Sequence, residues 1–381
     1  MELAHKLPAS TQEPTDAETG AALTVDLEAI EANWRSLSQL LVIVECAAVV
    51  KADAYGLGLE PVTKKLAAAG CKTFFVADIA EARRARACAP EATIYVLKGF
   101  NSGRATAFVE LAARPVINSM MELAEWDAFA ASRNWRGGAA LQVDTGMNRL
   151  GISAEEAAAL AVRVQNDNHG ISLLMSHLAC AETPNHPLNT QQIRLFRELR
   201  TLYNGIPSSL ANSSGIFLGD PAHGDLARPG AALYGINPTP GRPNPMHRVV
   251  ELTGLILQIR NVERGGSVGY GATWIAKRAS RVAVVALGYA EGLMRAASID
   301  RKRMGTAVIG NKRCPFAGRI SMDLVCIDIT DIAEGVARRG DAVTFIGREV
   351  TVDDYAATAG TIGYEILTGL GAKCRRAYRG L

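Results

Sequence analysis

Between residues 47 and 235, short apolar runs alternate with amphipathic segments, and this alternation limits the possible folds more than any other feature. Segments rich in Ala, Glu, Arg and Leu separate most of the runs, and their spacing predicts helices over 79–88, 120–131, 154–166 and 189–203. Strand–helix alternation implies parallel pairing, and eight repeats of it predict a closed (β/α)8 barrel. The eight candidate strands are AAVV (47–50), FFVA (74–77), IYVL (94–97), PVIN (115–118), AALQV (139–143), SLLMS (172–176), SLANS (209–213) and AALYG (231–235).

The pattern changes after the Pro- and Gly-rich stretch NPTPGRPNP (237–245). From Val249 onward, one apolar run follows another with short, Gly-rich separators, as in ELTGLILQIRNV, RVAVVALGY, GTAVIG, LVCIDIT and DAVTFIG. Strand followed directly by strand predicts a second, mainly β domain. We therefore expect a flexible leader over 1–21, a (β/α)8 barrel over 22–243 and a C-terminal β domain over 244–381.

Charge and cysteine content exclude several classes of protein. The net charge is +3, and acidic and basic residues are interspersed, whereas a nucleic-acid-binding protein usually carries a basic stripe. The seven cysteines include no Cys-x-x-Cys pair, which argues against a disulfide framework or structural zinc and favours a reducing compartment. The most apolar stretch, 40–50, is too short to cross a bilayer and contains Glu45. We expect a cytoplasmic enzyme that binds neither metal, membrane nor nucleic acid.

The predicted strands end in residues that can carry chemistry. Lys51 follows the first strand, and Asp144 follows the fifth and leads into a Gly-containing loop that reaches Arg149. His177 follows the sixth strand, and the seventh leads into Asn212, Ser213 and Ser214. Arg228 lies just before the predicted eighth strand. Active sites of (β/α)8 barrels lie at the C-terminal ends of the strands, so these side chains are expected at one mouth.

Each of these residues also has a structural explanation when taken singly. A lysine at a strand end is commonly a surface side chain, a lone histidine is commonly a hydrogen-bonded core residue, and serines commonly cap helices. Taken together, a desolvated lysine, an arginine suited to a carboxylate and anion-binding hydroxyl groups support a Schiff-base enzyme that acts on a small carboxylate. These residues do not name the reaction.

A set of motifs resembles the alanine racemase family from about residue 22 to near the C-terminus, in the same order and at compatible spacings. Each motif is weak alone, and their combination is highly specific. The barrel carries VVKADAYGLG (49–58), DTGMNRLG (144–151), SHLA (176–179), ANSS (211–214) and RPGAALYG (228–235). The second domain carries VGYGATW (268–274), LGYAEGLMR (287–295), GRISMD (318–323) and TIGYE (361–365).

The resemblance implies pyridoxal 5′-phosphate (PLP) as the cofactor and two catalytic bases. Lys51 would bind PLP as a Schiff base and act as one base, and Tyr270 would be the other base, on the opposite face of the cofactor. Members of the family place this tyrosine in the site of the neighbouring subunit. A homodimer is therefore implied, in which Tyr270 and Met322 complete the partner's site.

The remaining roles implied by the resemblance concern the cofactor and the substrate. Arg149 and the backbone of Met322 would hold the substrate carboxylate. Arg228 would face the pyridine nitrogen, and His177 would connect it to Tyr270. Tyr289 and Arg295 resemble residues that line the substrate entrance. The residues implied around the phosphate are Tyr55, Ser213, Gly230, Ala231 and Tyr364.

The chain departs from the family pattern at three positions. Gln142 stands where many members have a lysine whose carbamate braces the arginine corresponding to Arg149. An amide cannot be carbamylated, so we expect no modified lysine here and a partial brace from the Gln142 side chain. Leu57 replaces a frequent histidine, and Ser321 replaces a frequent cysteine before Met322; neither change removes an implied role.

The resemblance predicts interconversion of L- and D-alanine, with D-alanine supplied to peptidoglycan. Racemisation of another small amino acid such as serine is a second hypothesis, because the motifs do not define the width of the pocket. A barrel decarboxylase is a third, against which the position of Arg228 and the order of the motifs argue. A non-catalytic PLP-binding barrel is a fourth, and such proteins lack the second domain.

Overall fold

The computed structural model describes residues 20–135, 137–166, 170–298, 304–370 and 374–381. Most of the predicted leader, residues 1–19, lies outside the described residues. The described chain forms two compact units. One contains Asp26–Val249 and Arg379–Leu381, and the other contains residues 20–25 and Val250–Tyr378.

The first unit is built on parallel strands that follow each other in chain order around a barrel. Its sheet contains Ala48–Val49, Thr73–Val76, Thr93–Val96, Ala113–Ile117, Ala139–Gln142, Ile171–Met175 and Ser208–Ser209. Glu45–Cys46 lies just before the first of these strands and pairs in parallel with Leu226–Ala227. The backbone N–H of Arg228 donates to the Ala211 carbonyl, so the strand Leu226–Ala227 also joins the seventh strand and closes the circle.

The predicted eighth strand was placed wrongly. Residues Ala231–Tyr234 form a 3-10 helix, and the eighth strand is Leu226–Ala227. The apolar residues Ala231–Tyr234 are buried, but burial alone does not separate a short strand from a short helix. As a consequence, Arg228 directly follows the eighth strand instead of preceding it, which places it at the same strand ends as Lys51.

The predicted barrel helices are confirmed, two of them with the expected bounds. Their ends follow from ordinary capping, since Asp78 accepts a hydrogen bond from the Glu81 N–H and Ser119 accepts one from the Glu122 N–H. Among the described residues the α-helices of this unit are Leu27–Leu41, Leu59–Ala68, Ile79–Cys88, Ala105–Glu110, Met120–Arg133, Ala154–Asn166 and Pro187–Arg200. Further 3-10 helices of this unit are Ser102–Arg104, Gly215–Leu218 and Asp220–Ala222.

The second unit is mainly β, as predicted. Its central strand, Val250–Val262, pairs antiparallel with three others: Ala21–Asp26, Ser280–Val285 and Ala342–Ile346. The helices are Val352–Ala359 and Gly363–Gly369, and the 3-10 helices are Tyr270–Ala272 and Arg295–Ser298. The other strands are Ser267–Val268, Trp274–Ile275, Thr306–Ile309, Lys312–Pro315, Val325–Asp328 and Arg375–Arg379.

The units divide the chain differently from the predicted domains 22–243 and 244–381. The strand Ala21–Asp26 begins in the second unit because it is hydrogen-bonded along its length to Val250–Val262. Residues 244–249 remain with the barrel, where the Asn33 side chain holds the backbone of His247. In the described part of the chain, no helix has the length and apolar character needed to span a membrane.

Candidate active site

The barrel strands bring the predicted residues to one mouth. Lys51, His177 and Arg228 lie one or two residues beyond the ends of their strands, and Ser213 lies four residues beyond the seventh strand. The C-terminal ends of parallel strands meet at one rim of a barrel, so side chains from distant parts of the sequence face each other there. Arg228 donates to Nδ1 of His177 at 3.4 Å, and the charges of Arg149 and Arg228 lower the pKa of both Lys51 and His177, as expected for groups at one mouth.

Lys51 begins a turn with an uncommon backbone conformation. Ala52, Asp53, Ala54 and Tyr55 have φ between 52° and 57°, a left-handed turn made of four residues other than glycine. A left-handed conformation costs an L-residue roughly 1–2 kcal/mol. The turn therefore needs support from its surroundings, and it orients Lys51 and Tyr55 relative to each other.

The support comes from the helix Ile79–Cys88. One carboxylate oxygen of Glu81 accepts the N–H of Asp53 at 3.0 Å, and the other accepts the N–H of Ala77 at 2.8 Å, at the end of the neighbouring strand. Asp53 in turn accepts the N–H of Leu59 and a hydrogen bond from Arg84. Glu81 thus bridges the strained turn and the second strand.

We predict that Glu81→Gln destabilises this turn. A glutamine amide has one acceptor oxygen and can accept only one of the two N–H groups. The free energy of unfolding should therefore fall by about 1.5–3 kcal/mol, the contribution of a hydrogen bond to a charged group. We expect urea unfolding to show this loss, together with weaker capture of PLP. Glu60→Gln is the matched control, because Glu60 pairs with Arg84 without touching the turn backbone. Equal effects of the two substitutions would show that Glu81 has no special part.

The lysine amine lies in an environment that disfavours its charge. Burial, followed by the positive charge of Arg149, lowers the pKa of Lys51 below its ordinary value of 10.5. Arg228 adds to the lowering, and Glu81 opposes it. A lysine with a lowered pKa carries a larger neutral fraction near pH 7, and the neutral amine is the nucleophilic form.

Arg228 is buried, with 4% of its surface exposed. Its guanidinium donates to the Ser209 hydroxyl at 2.5 Å, to the Ser176 carbonyl at 2.6 Å and to Nδ1 of His177 at 3.4 Å. Burial lowers the pKa of Arg228 to about 10. Burial and the charges of Arg228, Arg149 and Lys51 lower the pKa of His177 to about 3, so the imidazole is neutral.

The protonation of the imidazole follows from its partner. A guanidinium has donors and no acceptor, so Nδ1 of His177 must accept the hydrogen bond from Arg228. In a neutral imidazole the remaining nitrogen then carries the proton. Nε2 of His177 is therefore a hydrogen-bond donor.

The loop after the seventh strand brings hydroxyl and backbone N–H groups together. The hydroxyl of Ser213 accepts the N–H groups of Gly230 and Ala232 at 3.0 and 3.1 Å. A Cβ at Gly230 would overlap the Tyr55 hydroxyl, so a glycine is required for this approach. Tyr55 packs with its ring 4.7 Å from that of Tyr234. Hydroxyl groups and backbone N–H groups beside a bare glycine backbone suit a bound anion.

The loop that carries Arg149 is held by its own carboxylate. Asp144 accepts the N–H groups of Gly146, Met147 and Asn148 at 2.9 to 3.1 Å. The Gln142 amide donates to the carbonyl of Leu150 at 3.0 Å. It therefore supports the backbone beside Arg149, where the sequence had suggested a brace on the guanidinium itself. The Arg149 side chain is exposed.

The other predicted residues belong to the second unit. Tyr270 is 70% exposed and starts the 3-10 helix Tyr270–Ala272, between the paired strands Ser267–Val268 and Trp274–Ile275. The Met322 side chain is exposed, and its carbonyl accepts the N–H of Ala290 at 2.9 Å. A Cβ at Gly288 would overlap that carbonyl, so the two loops run against each other.

This loop contact also includes one of the two residues predicted at the substrate entrance, and the other lies in a 3-10 helix further along the chain. Tyr289 donates its N–H to the Ser321 carbonyl and is half exposed. Arg295 starts a 3-10 helix in which the Ser298 hydroxyl donates to its carbonyl. Tyr364 is the second residue of the helix Gly363–Gly369, with 40% of its surface exposed.

Two contributors were missed from the sequence. Glu81 lies in the first turn of the helix Ile79–Cys88, three residues after the N-cap Asp78, where its spacing indicates only a role in helix capping. Phe75 lies beneath the guanidinium of Arg228, 5.8 Å from ring centroid to guanidinium carbon. The run FFVA does predict that one of its two phenylalanines faces the barrel interior, because strand side chains alternate, but it does not say which.

Comparisons with known proteins agree over most of the chain. The model of the alanine racemase N-terminal domain matches residues 25–238, and that of the C-terminal domain matches residues 249–378. An alanine racemase of Methylobacterium sp. (strain 4-46) is 49% identical over 94% of this chain and 98% of its own length. A protein of Mesorhizobium japonicum named as a catabolic alanine racemase is 46% identical over 96% and 95%.

A solved structure extends the agreement to three dimensions. The alanine racemase of Bartonella henselae, whose structure contains covalently bound pyridoxal phosphate, superposes with a TM-score of 0.89 at 36% identity. The match covers 94% of this chain and 99% of that one. With both domain models matched and relatives aligned from end to end, the chain belongs to the alanine racemase family and is an amino-acid racemase.

Proposed function

We propose that this protein interconverts L-alanine and D-alanine by a two-base mechanism, with PLP bound through Lys51. The observation that carries the proposal is the partly buried Lys51, whose positive charge is disfavoured, at a barrel mouth shared with Arg149, His177 and Arg228. These four groups come from the first, fifth, sixth and eighth strands, at the positions that the family motifs predict. Full-length similarity to alanine racemases supports the choice of substrate.

The barrel residues fit PLP, an aldehyde with an anionic phosphate. The fit rests on the approach at Gly230, which a Cβ would block, and on a donor set of amine, guanidinium, hydroxyl and backbone N–H groups. Lys51 would hold the aldehyde carbon, and Arg228 would face the pyridine nitrogen. The residues proposed around the phosphate are Tyr55, Ser213, Gly230, Ala231 and Tyr364. PLP, when bound, supplies an electron sink that stabilises the negative charge left at Cα after proton removal.

Lys51 and Tyr270 are the proposed bases. The lowered pKa of Lys51 favours an amine that accepts a proton near neutral pH. Tyr270 would act from the opposite face, and we propose that a second copy of the chain supplies it. The exposure of Tyr270 and Met322 on the second unit supports this arrangement, since both side chains are open to a partner.

His177 and Arg228 are proposed to support these bases. The proton on Nε2 of His177 is available to the Tyr270 oxygen and would stabilise its anion, which an ordinary tyrosine forms only near pH 10. Arg228 keeps its proton because its pKa, although lowered, is about 10. Arg228 would therefore donate a hydrogen bond to the pyridine nitrogen without giving up its proton, which would suit rapid return of the proton to Cα.

The substrate carboxylate is proposed to bind Arg149 and the backbone N–H of Met322. The Arg149 side chain forms no hydrogen bond or ion pair with another residue of the described ranges. The Asp144 and Gln142 contacts hold its loop from both sides. A guanidinium on a braced loop suits two parallel hydrogen bonds to a carboxylate.

The decisive experiment supplies the purified protein and PLP with L-alanine in deuterated water. We expect D-alanine that carries deuterium at Cα, because the proton removed on one face is replaced from solvent on the other. Release of carbon dioxide would indicate a decarboxylase instead. Turnover of serine in preference to alanine would overturn the proposed substrate.

The capture of PLP provides a test of the Lys51 environment. Only the neutral amine adds to the aldehyde, so the rate should rise with pH and level off below the ordinary lysine pKa of 10.5. In Arg149→Gln, the midpoint should move to higher pH, because a positive charge that lowers the pKa of Lys51 is gone. Stopped-flow absorbance of the aldehyde measures both midpoints.

The control for this measurement is Arg194→Gln, since Arg194 lies on the surface helix Pro187–Arg200 and is highly exposed. Its midpoint should equal that of the unmodified chain. A midpoint near 10.5 in the unmodified chain, or no difference between the two arginine variants, would contradict the assignment.

We propose a cytoplasmic location and a role in supplying D-alanine for peptidoglycan. The seven cysteines are free thiols, the state that a reducing compartment maintains. Because a relative is named as catabolic, the role needs its own test. Deletion of the gene should make growth depend on added D-alanine. If deletion only prevents growth on alanine as the carbon source, the role is catabolic.

A further inference from the structure

The charge of Arg228 is stabilised without a carboxylate. Its guanidinium is buried and donates to a hydroxyl, a carbonyl and an imidazole nitrogen, and no acidic side chain of the described residues pairs with it. Neutral acceptors compensate only part of the cost of removing a cation from water. Lys51 is close enough for the charge of Arg228 to lower its pKa, so this neighbouring group offers Arg228 no compensating negative charge.

The face of a buried aromatic ring in the barrel provides further stabilisation for the positive charge of Arg228. The guanidinium carbon of Arg228 lies 5.8 Å from the centroid of the Phe75 ring, which is fully buried. A cation within about 6 Å of a ring face is attracted by its electron density, and the attraction is larger in a desolvated site. In the described part of the chain, Phe75 is the only aromatic side chain whose ring face lies against the Arg228 guanidinium.

The ring of Phe75 is itself held in place from the neighbouring strand. Phe75 pairs with Tyr95 across the sheet, and the two rings stack with centroids 5.0 Å apart and planes 16° apart. Tyr95 is hydrogen-bonded to Ser172 and Arg114. The position of the Phe75 ring is therefore determined by the stacked strands and does not depend on Arg228.

We propose that Phe75 is a positioning residue of the racemase site, whose ring face holds the charged Arg228 guanidinium where it can donate to the pyridine nitrogen. This proposal rests on the proposed function, in which Arg228 faces that nitrogen. Lowering the electron density of the ring face should weaken the attraction that positions Arg228. The hydrogen bond from Arg228 to the pyridine nitrogen, and with it the electron-withdrawing strength of the cofactor, should then change. A ring that only fills space in the core would not respond to a change of its charge distribution at constant volume.

The test replaces Phe75 with phenylalanines that carry one, two or three fluorines on the ring. Fluorine withdraws electron density from the ring face and changes its volume little. We expect kcat/KM for alanine to fall stepwise along the series, by roughly tenfold in total. The absorption band of the bound cofactor should shift in the same order.

Phe74 provides a matched control. It is fully buried in the same strand, and alternation places its side chain on the opposite face from Phe75. The same fluorinated series at Phe74 should leave kcat/KM within about threefold and the cofactor band unmoved. If kcat/KM does not change along the Phe75 series, or falls equally at both positions, the proposal is wrong.

A third measurement separates this proposal from the proposed function. Urea unfolding of the chain without PLP should show stability that falls along the Phe75 series relative to the Phe74 series. If the unmodified protein makes no D-alanine, the proposed function fails, while the unfolding series still decides whether the ring stabilises Arg228. If D-alanine forms but the Phe75 and Phe74 variants lose equal stability in urea, the function stands and the role of Phe75 is rejected.

Discussion

Replacing Lys51 with alanine is expected to abolish racemisation and to remove the absorption band of bound PLP. The amine both binds the aldehyde and acts as a base, so the substitution removes two functions at once. We expect kcat/KM to fall by at least about four orders of magnitude, the scale on which removal of an essential catalytic group acts. The spectrum and D-alanine formation should be measured on the same preparation.

The control for this variant is Lys72→Ala. Lys72 is exposed and precedes the second strand, whereas Lys51 is partly buried at a strand end. The control should retain the absorption band and activity within about threefold. Urea unfolding of Lys51→Ala without PLP should show a folded protein, since the backbone supports of the turn are intact. A covalent PLP band that survives in Lys51→Ala would contradict the assignment of the cofactor lysine.

Replacing Tyr270 with phenylalanine is expected to lower kcat by roughly 10²- to 10⁴-fold in both directions, the usual contribution of a general acid or base. The hydroxyl is needed to remove the Cα proton of one enantiomer and to return the proton that forms it from the other. In deuterated water, Lys51 should still exchange the Cα proton of one enantiomer without inverting it. Exchange without racemisation is the distinctive result.

Tyr378→Phe serves as the control, because it removes a hydroxyl from a half-buried tyrosine of the same unit. It should racemise alanine within about threefold of the unmodified rate. If Tyr270→Phe keeps the full rate, Tyr270 is not a base. If exchange is lost for both enantiomers together with inversion, the hydroxyl acts on binding of the substrate instead of on one face of it.

Mixing the two inactive variants tests whether Tyr270 acts in the partner's site. In a mixed dimer of Lys51→Ala and Tyr270→Phe, one site would combine both defects and the other would have neither. Random exchange of subunits should then restore about a quarter of the unmodified activity. No recovery, with mixed dimers demonstrated by mass, would place Tyr270 in the site of its own chain.

The positions of the candidate site residues were predictable where those residues follow the ends of strands. Lys51 and His177 follow buried apolar runs, and parallel strands that alternate with helices place such residues at one mouth. Arg228 was expected at the same mouth but on the wrong side of its strand. The cause is that AALYG is a longer apolar run than the strand Leu226–Ala227, which has only two residues and is too short to show a strand pattern.

The sequence by itself determined the two-part architecture and the family, and it provided the candidate site residues. Periodicity and the order of motifs are properties of the sequence itself, so they can be recognised without a three-dimensional structure. Tertiary structure decided how those residues are held. Four left-handed residues follow Lys51 because Glu81, from another helix, accepts a turn N–H, and Arg228 stays charged over a ring from another strand. Such contacts join distant residues through packing and hydrogen bonds, and no local pattern encodes them.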